Sequence, residues 1–175
     1  MTRVKRGQVV LELYILRHGD AGTPLDDPGK DDERPLSKEG REEMKKVAEA
    51  IHELEIKFDV IATSPLPRAL QTAEAVAREY KKLNKIEEWE ELKYSADTES
   101  LYSRLSKQKK GSSILIVGHE PHLTGLIAEI IAGTSNVNLV LKKAGLAMVG
   151  VLAFKPKITG ELRLLLPPKT LLNTA

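Results

Sequence analysis

The sequence predicts an α/β fold with a mostly parallel central sheet. Short apolar runs at 13–16, 60–63 and 113–117 are rich in Leu, Ile and Val and too brief for helices, as buried parallel strands require. Longer stretches between and after them repeat apolar residues at three- and four-residue spacing, the period of a helix with one buried face. Each run also ends abruptly in polar, Gly- or Pro-containing sequence, and open parallel sheets bind ligands beyond the carboxyl ends of their strands.

The first strand, Leu13-Tyr14-Ile15-Leu16, runs directly into Arg17-His18-Gly19-Asp20-Ala21. Arginine offers a planar fork matched to phosphate oxygens, and a neutral imidazole can present one lone pair while its other nitrogen is held by a hydrogen bond. Gly19 lets the backbone turn and a ligand approach. Residues 22–35, rich in Gly, Pro and Asp, read as a surface loop bordering this site. Ser37 caps a helix predicted over 38–55, with Met44, Val47, Ala48, Ile51 and Leu54 on its buried face. His52 lies on that helix away from any motif.

Val60-Ile61-Ala62-Thr63 is the second strand. Ser64-Pro65-Leu66-Pro67-Arg68 breaks it before a helix with Ala69, Ala73, Val76, Ala77 and Tyr80 inward. Arg68 falls in the first turn, where a cation opposes the helix dipole and a bound anion would resolve the conflict. Carboxylates then crowd around the only tryptophan in Glu87-Glu88-Trp89-Glu90-Glu91, and Thr98 is placed to cap a short helix over 101–105, closed by Lys107-Gln108-Lys109-Lys110-Gly111. Ser113-Ile114-Leu115-Ile116-Val117 is the third strand and passes into Gly118-His119-Glu120-Pro121-His122. A helix follows with Leu123, Leu126, Ile127, Ile130 and Ile131 buried. Residues 146–154 and 162–166 complete the chain as a strand hairpin extending the sheet.

The chain has 175 residues, which fits one domain, 1–175, burying roughly 70% of its unfolded surface. With 27 Lys+Arg against 25 Asp+Glu the net charge is +2, so no electrostatic case exists for nucleic acid. Cysteine does not occur, which removes disulfides, thiolate nucleophiles and cysteine metal sites and suits a cytoplasmic location. Arg3, Lys5 and Arg6 before apolar residues faintly imitate a signal peptide, but Glu12 interrupts the run, and nothing approaches membrane-spanning length. No Walker-type loop and no cluster of metal carboxylates is present.

Taken in order, Arg17-His18-Gly19-Asp20-Ala21, Arg34-Pro35-Leu36-Ser37 with Gly40, Ser64-Pro65 with Arg68-Ala69 and Gln71-Thr72-Ala73, and Val117-Gly118-His119-Glu120-Pro121 resemble the histidine phosphatase superfamily, and within it the small SixA-type phosphohistidine phosphatases. The resemblance spans residues 13–154. It implies a phosphoglycerate-mutase-like fold, a three-layer αβα sandwich. It also implies that His18 takes the phosphoryl group as a transient phosphohistidine while Arg17, Arg68 and His119 surround it. Two guanidinium forks and an imidazole donor can grip the equatorial oxygens, so neither metal nor cofactor is required.

Many branches of the superfamily place an acid between the second helix and the strand before Gly118-His119, whereas SixA-type members lack a well-placed one. Glu87, Glu88, Glu90 and Glu91 occupy that interval here, and Glu88 and Glu91 are the candidate general acids. Asp20 is a second candidate proton donor, or a hydrogen-bonding partner for its loop or an arginine. An alkoxide leaving group needs such a proton, since even water ionises only near a pKa of about 15.7. Imidazole, with a pKa of about 6.5, needs far less help. Ser64, Asp20, Arg34, His122 and Lys143 are candidate substrate-binding residues. His122, three positions after His119, lines the cleft or caps its helix, and the two have no obvious third metal ligand.

The expected function is hydrolysis of phosphohistidine in proteins. The alternatives are a phosphomonoesterase of small phosphate esters and a non-catalytic phosphate-binding module. The expected partners are a histidine-phosphorylated protein or small phosphorylated substrate and inorganic phosphate as product, with residues 22–35 and 87–97 at the docking surface. The sequence leaves the oligomeric state open.

Overall fold

The computed structural model describes residues 8–173, so Arg3, Lys5 and Arg6 lie outside the described residues. The chain alternates β1 (Leu11–Arg17), α1 (Pro28–Asp32), α2 (Lys38–Glu53), β2 (Val60–Thr63), α3 (Pro67–Glu79), β3 (Ile86–Glu88), α4 (Thr98–Ser106), β4 (Ser113–Gly118), α5 (His122–Ala132), β5 (Leu146–Ala153), β6 (Thr159–Leu166) and α6 (Pro168–Leu171). The six strands form one sheet in the order β3-β2-β4-β1-β5-β6. The first four in that order are parallel, and β5 and β6 add an antiparallel hairpin beside β1.

Strand alternation divides the core into two layers. Leu13, Ile15, Ile114 and Ile116 face one side, where α4 and α5 pack with Leu101, Leu105, Leu123 and Ile127. Leu16, Leu115 and Val117 face the other, against Met44, Val47 and Ile51 of α2 and Ala69, Ala73 and Val76 of α3. Each fully buried Leu or Ile contributes roughly 1.5–3 kcal/mol of burial free energy. The result is the αβα sandwich. No described helix is long and apolar enough to cross a membrane.

Several elements differ from the sequence reading. The 22–35 segment contains α1, which Asp27 caps by accepting from the backbone N–H groups of Gly29 and Lys30. Residues 86–88 form an edge strand, with Ile86 half-buried and both glutamates exposed. The cap of α4 is Asp97, whose carboxylate accepts from the Ser100 N–H, so Thr98 is its first residue rather than its cap. The predicted cap of α2 is found in place, Ser37 accepting from the Gly40 N–H.

Register places the site. Because β4 lies between β1 and β2, Arg17 stands opposite Gly118 and Thr63 opposite Val117. The chain reverses direction across the sheet at this point, and the three strand ends open a crevice there. Backbone bonds continue past the strand ends, with the His18 N–H on the Gly118 carbonyl at 3.1 Å and the Ser64 N–H on the Val117 carbonyl at 2.9 Å. His18, Ser64 and His119 are thereby set side by side.

Candidate active site

His18 is buried, and its Nδ1 lies 2.7 Å from the Gly19 carbonyl. A carbonyl only accepts, so Nδ1 carries the hydrogen and Nε2 keeps its lone pair. Burial holds the ring at about 4; Arg68, Arg17 and Lys143 push the same way, against the opposite pull of the Gly19 carbonyl. The imidazole is therefore neutral at neutral pH and able to act as a nucleophile. Gly19 packs against α2, where an added Cβ would come within 2.6 Å of Met44 Cγ. Its N–H donates to Thr72 Oγ1 at 3.1 Å, tying the neighbour of His18 to α3.

The His119 ring stands 5.1 Å from that of His18, centroid to centroid. Burial first, then the neighbouring charges, hold it at about 3, so it too is neutral. Its Nε2 is 2.8 Å from Ser64 Oγ, which in turn accepts from the Leu66 N–H at 3.3 Å. A Ser64 hydroxyl that donates to Nε2 leaves the His119 hydrogen on Nδ1, a buried atom with no protein partner.

Both arginines are held by main-chain carbonyls. Arg17 donates from Nη1 to Leu141 at 2.9 Å, and its buried Nε is unpartnered. Arg68 donates from Nη1 to the Asp31 carbonyl at 2.7 Å and stands 3.7 Å from that residue's carboxylate. The helix-dipole conflict at Arg68 is met from within the chain, by α1. Asp31 also receives the fork of Arg34, at 2.8 and 3.3 Å, and the Leu25 N–H at 2.8 Å. Hydrogen bonding by Arg34 is the first cause of its carboxyl being lowered to about 2.

Arg17, His18, Arg68 and His119 line one cavity of about 270 Å³. Arg34 and Lys143 line it as well, together with Gly22, Pro24, Asp31, Tyr94 and Glu120. A larger hollow of about 530 Å³ lies elsewhere, between α2 and α3, lined by Leu36, Met44 and Gln71 among others. The smaller cavity is the chemically equipped one, because two histidines, three arginines and a lysine converge there.

The other candidates are dispersed. Ser64 stands behind His119. Asp20 stands behind Lys143, accepting from its Nζ at 2.7 Å, from Ser37 Oγ at 2.8 Å and from the Gly22 N–H at 3.0 Å. These bonds, Lys143 first, lower its carboxyl to about 2, leaving no proton to donate near neutrality. His122 is buried with both ring nitrogens unpartnered and does not line the cavity. No group of three or more metal-ligating side chains occurs among the described residues.

The structure does not bring the candidate acids to the cavity. Glu88 is exposed at the end of the edge strand, and Glu91 pairs with Arg104 at 3.0 Å on a separate surface hollow. Glu87 accepts from Trp89 Nε1 at 2.8 Å and Glu90 pairs with Lys93 at 2.7 Å. Sequence reasoning missed Asp31, Tyr94 and Glu120. The signals that exist are the three-residue step from Asp31 to Arg34 and the place of Glu120 directly after His119.

The sequence pattern of the histidine phosphatase superfamily (branch 1) matches residues 13–99. An uncharacterized protein of Picosynechococcus sp. is 35% identical over 166 residues, covering 93% of this chain and 99% of that protein. The phosphohistidine phosphatase SixA of Escherichia coli (strain K12) is 29% identical over 125 residues, 70% of this chain and 76% of its own. Among solved structures, SixA complexed with tungstate superposes with a TM-score of 0.74 at 24% identity, covering 91% of this chain and 99% of that one. A SixA homologue from Agrobacterium tumefaciens gives 0.71 at 25%, covering 90% and 97%.

Proposed function

The chain belongs to the histidine phosphatase superfamily, among its SixA-type members, and from that premise we propose that this phosphatase hydrolyses phosphohistidine in proteins through a covalent intermediate on His18. In the first step His18 Nε2 attacks phosphorus in line while the bond to the leaving imidazole breaks, its electron pair returning to that nitrogen. Arg17, Arg68 and the His119 Nδ1–H hold the equatorial oxygens, whose charge must be stabilised throughout. Water then attacks the phosphorylated His18 and the electron pair returns to Nε2. Both water protons leave with inorganic phosphate.

One observation supports the choice of leaving group: both carboxylates lining the cavity are already engaged as hydrogen-bond acceptors. Asp31 is held near 2 within its arginine contacts, and the two oxygens of Glu120 accept from the Thr124 N–H and hydroxyl. A site built this way favours a leaving group that departs without a strong proton donor. Imidazole, of pKa about 6.5, fits and an alkoxide does not.

The test compares a histidine-phosphorylated protein with an alkyl phosphomonoester, in the presence of a chelator, for the native chain and His18→Ala. The expected result is phosphate release by the native chain alone, mainly from phosphohistidine. Rapid turnover of the alkyl ester would redirect the assignment to small phosphate esters, and binding without turnover to a phosphate-recognition module.

A further inference from the structure

The residues that grip the phosphoryl group leave one wall of the cavity unexplained. In-line attack by His18 requires the leaving group to lie on the far side of phosphorus, toward the mouth. Of the other side chains lining the cavity, Arg34 and Asp31 form an ion pair and Lys143 forms one with Asp20. Tyr94 and Glu120 remain. The Tyr94 ring meets His119 edge-on, 6.0 Å between centroids, and its hydroxyl donates to Asp32 at 2.9 Å, so it is fixed at the rim with 40% of its surface exposed. Glu120 is aimed by Thr124, whose N–H reaches Oε1 at 3.1 Å and whose hydroxyl reaches Oε2 at 2.6 Å.

We propose that Tyr94 and Glu120 form a subsite for the leaving imidazole, with the Tyr94 ring beside its plane and the Glu120 carboxylate accepting from its distal N–H. The inference rests on the phosphohistidine reading and deepens it. Phosphohistidine expels neutral imidazole only when the ring nitrogen remote from phosphorus bears a hydrogen; otherwise the departing species is imidazolate, a far poorer leaving group. The P–N bond breaks, its pair returns to the nitrogen that bore phosphorus, and the distal hydrogen stays where it was. A carboxylate beside that N–H favours the protonated substrate and binds it through a charge-assisted hydrogen bond. Glu120 thus acts as acceptor and not as general acid, which accords with a side chain already oriented by two donors.

Glu120 also sits just before the first turn of α5, and a capping role alone would account for its bonds to Thr124. The experiment separates the two. Native chain, Glu120→Gln and Thr124→Val are assayed on phosphoimidazole and on p-nitrophenyl phosphate, whose leaving oxygen needs little protonation and carries no N–H. Glutamine keeps an oxygen for Thr124 and loses the charge. The ratio of kcat/KM for phosphoimidazole to that for the aryl ester is expected to fall about tenfold in Glu120→Gln, the effect of losing one charge-assisted contact. It should fall in the same direction in Thr124→Val, whose carboxylate is less well aimed. An unchanged ratio in both variants, whatever the absolute rates, would overturn the subsite and leave Glu120 a cap. A native chain that turns over the aryl ester and not phosphoimidazole would overturn the phosphohistidine reading itself.

Discussion

Asp31 and Arg68, thirty-seven residues apart, are joined by a 2.7 Å hydrogen bond from the guanidinium to the Asp31 main-chain carbonyl, with the carboxylate 3.7 Å away. The partnership brings α1 to the cavity lined by Arg17, His18 and His119. Its carboxylate collects Arg34 and the Leu25 N–H, so one side chain fixes the cavity's outer cation and the path of the loop. Asp31→Ala is expected to lower kcat/KM about tenfold by freeing Arg34 and removing the carboxylate beside Arg68, whose main-chain bond remains, a loss comparable to one charge-assisted contact. Steady-state kinetics check this; Asp31→Asn, which keeps an acceptor for Leu25, should lose less.

The buried histidines set a pH window. His18 and His119 are held at about 4 and about 3, chiefly by burial, against about 6.5 in the unfolded chain. The unfolded state therefore binds protons first as pH falls. Their contribution to stability is fully present above about 6.5 and is lost progressively toward 4. Asp20 and Asp31, both held near 2, contribute stability that persists above the unfolded carboxylate value and is lost only in stronger acid. Urea unfolding at pH 7.5, 6 and 5 should show falling stability, and His18→Gln should flatten that slope. For the same reason the acidic limb of kcat/KM assigned to His18 should lie near pH 4 rather than 6.5.

Much of this arrangement is legible in the sequence because it depends on strand ends. A buried apolar run can stop only where the sheet stops, so Arg17-His18, Ser64 and Gly118-His119 announce their own places. What pairs with those residues is less legible. Asp31 sits among several acids in a loop, and nothing local distinguishes the one that α1 turns toward Arg68. The Leu141 carbonyl that holds Arg17 is main chain and has no side-chain signature. The glutamates around Trp89 mislead for a related reason: an edge strand of three residues has too little alternation to reveal which side chains face the crevice.

Gly40 shows how a motif residue far from the chemistry can be required by packing. An added Cβ would stand 2.0 Å from the Asp20 carbonyl oxygen, a backbone atom that cannot swing aside. That carbonyl also accepts from the Ser37 N–H at 3.0 Å, so α2 and the loop carrying Asp20 are pressed together at this point. Gly40→Ala is expected to destabilise the protein by about 2–4 kcal/mol, the range of severe overpacking. Denaturant unfolding measures it. A loss below that of ordinary surface substitutions would show that α2 can move away freely.

Ser64→Ala tests whether a residue that never reaches the cavity controls one that does. Ser64 Oγ accepts from the Leu66 N–H and lies 2.8 Å from His119 Nε2, where its hydroxyl hydrogen can be donated. In the proposed mechanism the ring keeps its hydrogen on Nδ1 and donates it to a phosphoryl oxygen. Without the hydroxyl, the ring is free to place its hydrogen on Nε2 and to turn a lone pair toward the anion, which repels it. Because the charge on the transferring group needs that donor most in the transition state, kcat should fall about tenfold while KM changes little. Ser64→Thr, which retains the hydroxyl, should recover most of the loss. Equal falls in Ala and Thr would point to steric disturbance of β2, and a rise in KM alone would mean that His119 binds the substrate as tightly as it binds the transition state.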